Sequence, residues 1–162
     1  MPMIDLTMPR GALSELGKAE LMAALTRTLL KWEGAAPGNE AARSIAWTFL
    51  HEADLVTVGG AAPAQPRYRV VVGVPQGTVD DEAKRGLVAE ATEDVLAAER
   101  GFRGGAPGSR DAWRVWVIVN EITDGNWGGA GRIFRLGDIL EFAGADDADV
   151  ERRTARLRQP IS

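Results

Sequence analysis

Proline stands second in the chain, in the run Met1-Pro2-Met3-Ile4-Asp5-Leu6. A small penultimate residue permits removal of Met1, and the chain then begins with a secondary amine at the head of an apolar strand. An ordinary α-amino group has a pKa of about 7.7–8.0, and a prolyl amine is intrinsically more basic. Apolar surroundings disfavour the cation and draw the value down, by up to about 3–5 units for a fully buried amine. A neutral amine near neutral pH is a general base. It can take a proton from a carbon beside a carbonyl, and the enolate that develops needs a donor or a cation. Arg10, Gln76, Asn120, Asn126 and Arg132 are the candidate donors, and Met3, Ile4, Ile118 and Trp127 the candidate apolar neighbours. The expectation is a catalytic Pro2 with substrate-binding groups drawn from Arg10, Gln76, Ile118, Asn120, Trp127 and Arg132.

Composition narrows the chemistry further. With no cysteine and one histidine, His51, the chain offers neither a thiol nucleophile nor a thiolate or multi-histidine metal site. No metal and no cofactor is expected. A net charge of −4 argues against nucleic acid as a partner. No apolar run approaches the roughly 20 residues that cross a bilayer, and the N-terminus lacks the pattern of a signal peptide. No membrane partner is expected, and a cytoplasmic location is. Residues 124–132 are glycine-rich, but no Lys-Ser/Thr follows them and Asp124 would repel phosphate. They read as a close-packed turn at a subunit boundary.

These groups must be held by regular elements. Residues 2–8 alternate as a strand, and Pro9-Arg10-Gly11 breaks it. Ser14 caps a helix that runs to about Glu33, with Leu21, Leu25, Leu29 and Trp32 as its apolar stripe. Residues 44–52 form the next strand, and residues 55–58 a short edge strand or arm. A joint rich in glycine and proline spans 59–66. Residues 67–74 are a buried strand, Asp80 caps a second helix ending at Gly101, and residues 113–120 are a strand apolar on both faces and therefore central. Residues 133–142 read as a short strand or turn, and the charged run 146–158 as a solvated helix or tail.

The order is strand–helix–strand, a joint, then strand–helix–strand. Ala46-Trp47-Thr48-Phe49-Leu50-His51-Glu52 lies over Val115-Trp116-Val117-Ile118-Val119-Asn120-Glu121, with Trp second and Glu seventh in both. Shared Glu52 and Glu121 point to a structural role. The fold expected is α+β: a single domain over 1–162, made of one β-α-β unit at 2–58, a second at 67–142 and a tail at 143–162. The four strands make one sheet with both helices on one face. The other face is too apolar for water, so several copies should associate.

The repeat and Pro2 together resemble the tautomerase superfamily, whose 4-oxalocrotonate tautomerase-like members are built from β-α-β units and include fused, trimeric forms. Residues 119–132, from Val119-Asn120-Glu121 through Trp127 to Gly131-Arg132, are similar to a passage of malonate semialdehyde decarboxylase-like members. The resemblance implies a tautomerase/MIF-like sheet, a homotrimer, a small-molecule carboxylate substrate and a catalytic terminal proline. Its first functional expectation is a keto-enol tautomerase of small 2-oxo or 2-hydroxydienoic acids. The alternatives are a decarboxylase or hydratase of a small 3-oxo or unsaturated acid using cationic Pro2, and a trimeric binding protein without catalysis. The turn Val74-Pro75-Gln76-Gly77-Thr78-Val79 lacks the arginine pair of the decarboxylase-like and dehalogenase-like members. The dehalogenase acid falls at Gly129 and its tyrosine at Ile118, and the decarboxylase aspartate falls near Ile45. These departures favour proton transfer.

Overall fold

In the computed structural model, which describes residues 2–158, strand β1 (Met3–Pro9) buries Ile4, Leu6 and Met8 and turns Met3, Asp5 and Thr7 to the opposite face. That is the period of two expected of a strand covered on one side. Ser14 accepts a hydrogen bond from the Gly17 amide at 3.0 Å and starts α1 (Glu15–Trp32), which buries Leu21, Leu25 and Leu29. A short helix, α2 (Glu40–Ser44), is capped by the Asn39 side chain, so β2 (Trp47–Ala53) begins later than its β-branched and aromatic content alone implies. The segment 55–58 contributes one isolated bridge, Val58 to Ala61, in place of an edge strand.

Strand β3 (Tyr68–Pro75) leads to α3 (Asp81–Arg103), capped by Asp80 through the Ala83 amide at 2.9 Å. The helix passes through Gly101 and closes at Gly104, whose φ of 72° is left-handed. A single helical glycine costs only about 1 kcal/mol, too little to end a helix with Arg100 and Arg103 in its last turn. Strand β4 (Val115–Ile122) follows. Strands β5 (Trp127–Gly129) and β6 (Arg132–Phe134) form a hairpin. Its two turn residues, Ala130 and Gly131, have φ of 46° and 76°, as a type I′ turn requires. The expected strand or turn at 133–142 is the end of β6 followed by α4 (Leu136–Phe142), and the charged run forms α5 (Asp147–Ala155).

The main sheet has the order β2-β1-β3-β4. Strands β1 and β2 are parallel, as are β3 and β4, while β1 and β3 pair antiparallel with Met3 opposite Gly73. Strand β4 is therefore an edge of this sheet, not its centre. The two crossover units meet through their first strands, which puts both second strands outside. Helices α1 and α3 cover one face, where Leu25, Leu29, Leu87 and Val95 meet Leu6, Val70 and Val72. The other face carries Trp47 and Phe49 on β2 and Trp116 and Ile118 on β4, between 40% and 68% exposed.

The duplication extends to single atoms. The Gly11 amide donates to Glu52 Oε1 at 3.3 Å, and the Gly77 amide donates to Glu121 Oε1 at 3.3 Å. Lys18 pairs with Glu52 at 2.9 Å, and Lys84 with Glu121 at 2.6 Å. Each glutamate thus ties its second strand to the turn and helix that follow the first. Among the described residues no helix is long and apolar enough to cross a membrane.

Candidate active site

Pro2 is buried immediately before β1, and its carbonyl accepts a hydrogen bond from the Trp47 amide at 3.1 Å. It lines a cavity of about 420 Å³, within the usual range of ligand pockets, about 300–1,000 Å³. The end of α1 supplies Leu30 and Glu33, the segment before β2 supplies Ile45, and the end of β3 supplies Pro75. Ile139 and Leu140 of α4 and Arg152 and Arg153 of α5 complete the wall. The apolar part suits a neutral amine, because a cation loses hydration there.

The polar part is built by local hydrogen bonds. Arg153 donates from Nη1 to the Glu33 carbonyl oxygen at 2.6 Å and from Nε to Asp149 Oδ1 at 3.0 Å. A cation on a terminal helix carbonyl is favoured by the helix dipole, so Arg153 joins α5 to the end of α1. Arg152 pairs with the same Asp149 carboxylate. Asn39 Nδ2 donates to the Ala143 carbonyl at 2.7 Å and fastens the chain before α2 to the end of α4. Thr78 also lines the cavity, and its buried Oγ1 has no hydrogen-bond partner among the described residues. Burial pushes the Glu33 carboxyl up to about 7, against the opposing charges of the amino terminus and Arg153.

The six substrate-binding candidates lie elsewhere in this chain. Arg10 follows the far end of β1 and pairs with Asp54 at 2.8 Å; at about 3.3 Å per residue it stands roughly 26 Å along the strand from Pro2. Gln76 is adjacent to Pro75, and its Oε1 accepts from the Asp124 amide at 3.3 Å. Ile118 and Asn120 lie on the open sheet face beside Val71 and Gly73. Trp127 is opposite Phe134 in the hairpin, and the Arg132 guanidinium stacks over the Phe134 ring at 4.4 Å. None of the six lines the Pro2 cavity.

Sequence reasoning missed Glu33, Thr78, Arg152 and Arg153. Of the solvated helix or tail expected at 146–158 the structure forms the helix, α5, with no fully buried residue, yet one side of it is covered, for the Arg153 side chain is only 12% exposed. Its signal was present: Asp146 caps the helix, Asp147 and Asp149 stand in its first turn, and Arg152 and Arg153 in its last, the charge order of a real helix. Among the described residues no cluster of three or more His, Cys, Asp or Glu side chains is placed to hold a metal ion.

No family model matches the sequence, and no curated protein sequence matches it. Solved structures do match. Pt0534 inactivated by 2-oxo-3-pentynoate is 20% identical, with 81% of this chain and 94% of that chain covered and a TM-score of 0.64. Native fused 4-OT is 24% identical over 81% and 94%, with a TM-score of 0.62. A macrophage migration inhibitory factor-like protein from Entamoeba histolytica is 18% identical over 82% and 98%, with a TM-score of 0.59. The fold is shared with these fused 4-OT and macrophage migration inhibitory factor-like structures, an α+β sheet of four strands made from two β-α-β units.

Proposed function

We propose that the chain is a keto-enol tautomerase of small 2-oxo or 2-hydroxydienoic acids, in which Pro2, freed by removal of Met1, is the general base. The observation that carries this reading is the burial of Pro2 against a small cavity at the head of β1 whose wall is part apolar and part polar. There the neutral amine removes a proton from the carbon beside the substrate carbonyl, the C–H pair becomes the C=C bond of the enol, and the oxygen gains a proton. No cofactor is needed for such a transfer. Fused 4-OT forms a trimer, and the apolar open face supports a homotrimer here. In that assembly the surface groups Arg10, Ile118, Asn120, Trp127 and Arg132, with Gln76, are the ones a neighbouring copy brings toward the substrate.

The reagent 2-oxo-3-pentynoate, which inactivated Pt0534, provides the test. Its triple bond is conjugated to a carbonyl, so a neutral secondary amine adds to it. Intact mass and peptide mapping are expected to show one adduct on Pro2, together with loss of ketonisation of 2-hydroxypenta-2,4-dienoate. Pro2→Ala should lower that turnover by about 10²-fold or more, the lower end of the contribution of a general base. Undiminished turnover in Pro2→Ala, or inactivation without an adduct on Pro2, would refute the proposal.

A further inference from the structure

The two halves of the chain provide an internal comparison. The sequence interval that separates Gly11 from Gly77 and Lys18 from Lys84 also separates Pro2 from Tyr68 and Glu33 from Glu99. The interval that separates Trp47 from Trp116 and Glu52 from Glu121 also separates Ile45 from Arg114. In the second half Glu99 is 5% exposed and is neutralised by Arg114 at 2.6 Å, with Arg103 at 3.9 Å. That trio fills the end of α3 as an ion cluster. In the first half the place of Arg114 is taken by Ile45, which carries no charge and lines the cavity with Pro2 and Glu33. Arg153 is near, but it binds the Glu33 carbonyl rather than its carboxylate. The carboxyl group of Glu33 makes no hydrogen bond or ion pair with another described residue. A position that is a structural anchor in one half is, in the other, an unpaired acid lining the same cavity as Pro2.

We propose that Glu33 is the second proton carrier of the cavity, serving the carbonyl oxygen of the substrate while the Pro2 nitrogen serves its carbon. This rests on Pro2 being the base. In the keto-to-enol direction the Pro2 nitrogen takes the proton from carbon, and the C–H electron pair forms the C=C bond. The carbonyl π pair moves to oxygen, which takes the proton of the Glu33 carboxyl. Pro2 ends as a cation and Glu33 as a carboxylate, and exchange with water restores both. Glu33 must start protonated, and burial raises its carboxyl to about 7 for that purpose. The other charged groups lining the cavity are Asp146, Asp149, Arg152 and Arg153. Asp146 caps α5 through the Asp149 amide, and Asp149 is occupied by both arginines, which leaves Glu33 as the unpaired acid of the cavity that Pro2 lines.

The test compares wild type with Glu33→Gln in the Met1-processed protein, using 2-hydroxypenta-2,4-dienoate across pH and 2-oxo-3-pentynoate as the probe of Pro2. The expected result is a fall in kcat of about 10²-fold, with KM nearly unchanged. In the ketonisation direction assayed, Glu33 starts as the carboxylate that takes the enol proton, so the wild-type rise in kcat as pH increases through about 7 should vanish in the variant, while Pro2 is still labelled. Unchanged kcat with the same pH rise overturns the role of Glu33 and leaves Pro2 as the base. A wild type that does not label at Pro2 overturns the underlying reading and the role of Glu33 with it. If Glu33→Gln also loses labelling, Glu33→Asp carries the test. Activity with a displaced pH limb upholds the proposal; activity with an unchanged limb, or none despite labelling, overturns it.

Discussion

A carboxyl group held at about 7 carries a cost to the fold that can be measured apart from catalysis. The folded state binds the Glu33 proton more tightly than the unfolded chain, whose value is near 4.5. The stabilisation from this protonation is complete below pH 4.5 and is lost as pH rises through 7. An amide in place of the carboxyl stays neutral at every pH and escapes the loss. Glu33→Gln is therefore expected to melt like wild type near pH 4.5 and a few degrees higher at pH 8. The corresponding gain is about 2 kcal/mol, taking each pKa unit as about 1.36 kcal/mol and discounting for partial exposure. Thermal melts at the two pH values check this, and equal melting temperatures at both would refute it. Pro2 could be singled out in the sequence because the chemistry proposed for it follows from its type and place alone; the structure adds its burial beside a cavity. Glu33 was not, because an acid at a helix end is usually solvated, and only the register of the two halves shows Ile45 standing where Arg114 neutralises Glu99.

Helices α1 and α3 meet with a close approach that reverses the ordinary sign of a substitution. A Cβ added at Gly86 on α3 would fall 2.1 Å from the Trp32 ring, well inside contact distance. Trp32 Nε1 donates to Glu90 Oε2 at 2.9 Å, and Lys31 binds the same oxygen at 2.6 Å, so the indole cannot swing aside without losing a bond. In an exposed helix Gly→Ala stabilises by about 1 kcal/mol. Here Gly86→Ala is expected to destabilise by about 1–3 kcal/mol through overpacking. Denaturant unfolding followed by tryptophan fluorescence measures it, and a stabilised variant would show that the ring moves freely. The end of α1 carries both Trp32 and Glu33, so ketonisation should fall too. Caps at Ser14 and Asp80 and the alternation of β1 were readable because they are local. Helix α4 was not, although Leu136, Ile139 and Leu140 stand at the i, i+3, i+4 spacing of a helix, because seven residues give the pattern only about two turns in which to show.

Strand β4 exposes the limit of sequence patterning at the scale of the molecule. Its two apolar faces implied a central strand, yet it lies at an edge, with Trp116 68% exposed. A one-dimensional pattern records that a side chain avoids water but not whether its cover is its own helix or another copy. Trp47 at 64% and Trp116 at 68% exposure occupy equivalent places on the two outer strands, so one surface chemistry is displayed twice, as repeated contacts in a closed ring require. Burying a large apolar side chain contributes about 1.5–3 kcal/mol, and placing a carboxylate there reverses the term. Trp116→Glu is expected to weaken association by at least about 10²-fold, yielding monomer by sedimentation velocity with an unchanged far-UV spectrum. An unchanged mass for both Trp116→Glu and Trp47→Glu would show that this face is not the interface. The same monomer separates the two layers of the site. The Pro2 cavity is walled within one chain, so 2-oxo-3-pentynoate should still label Pro2. Turnover should fall if the proposed assembly is what brings Arg10, Ile118, Asn120, Trp127 and Arg132 to the substrate; full turnover by the monomer would remove them from the site.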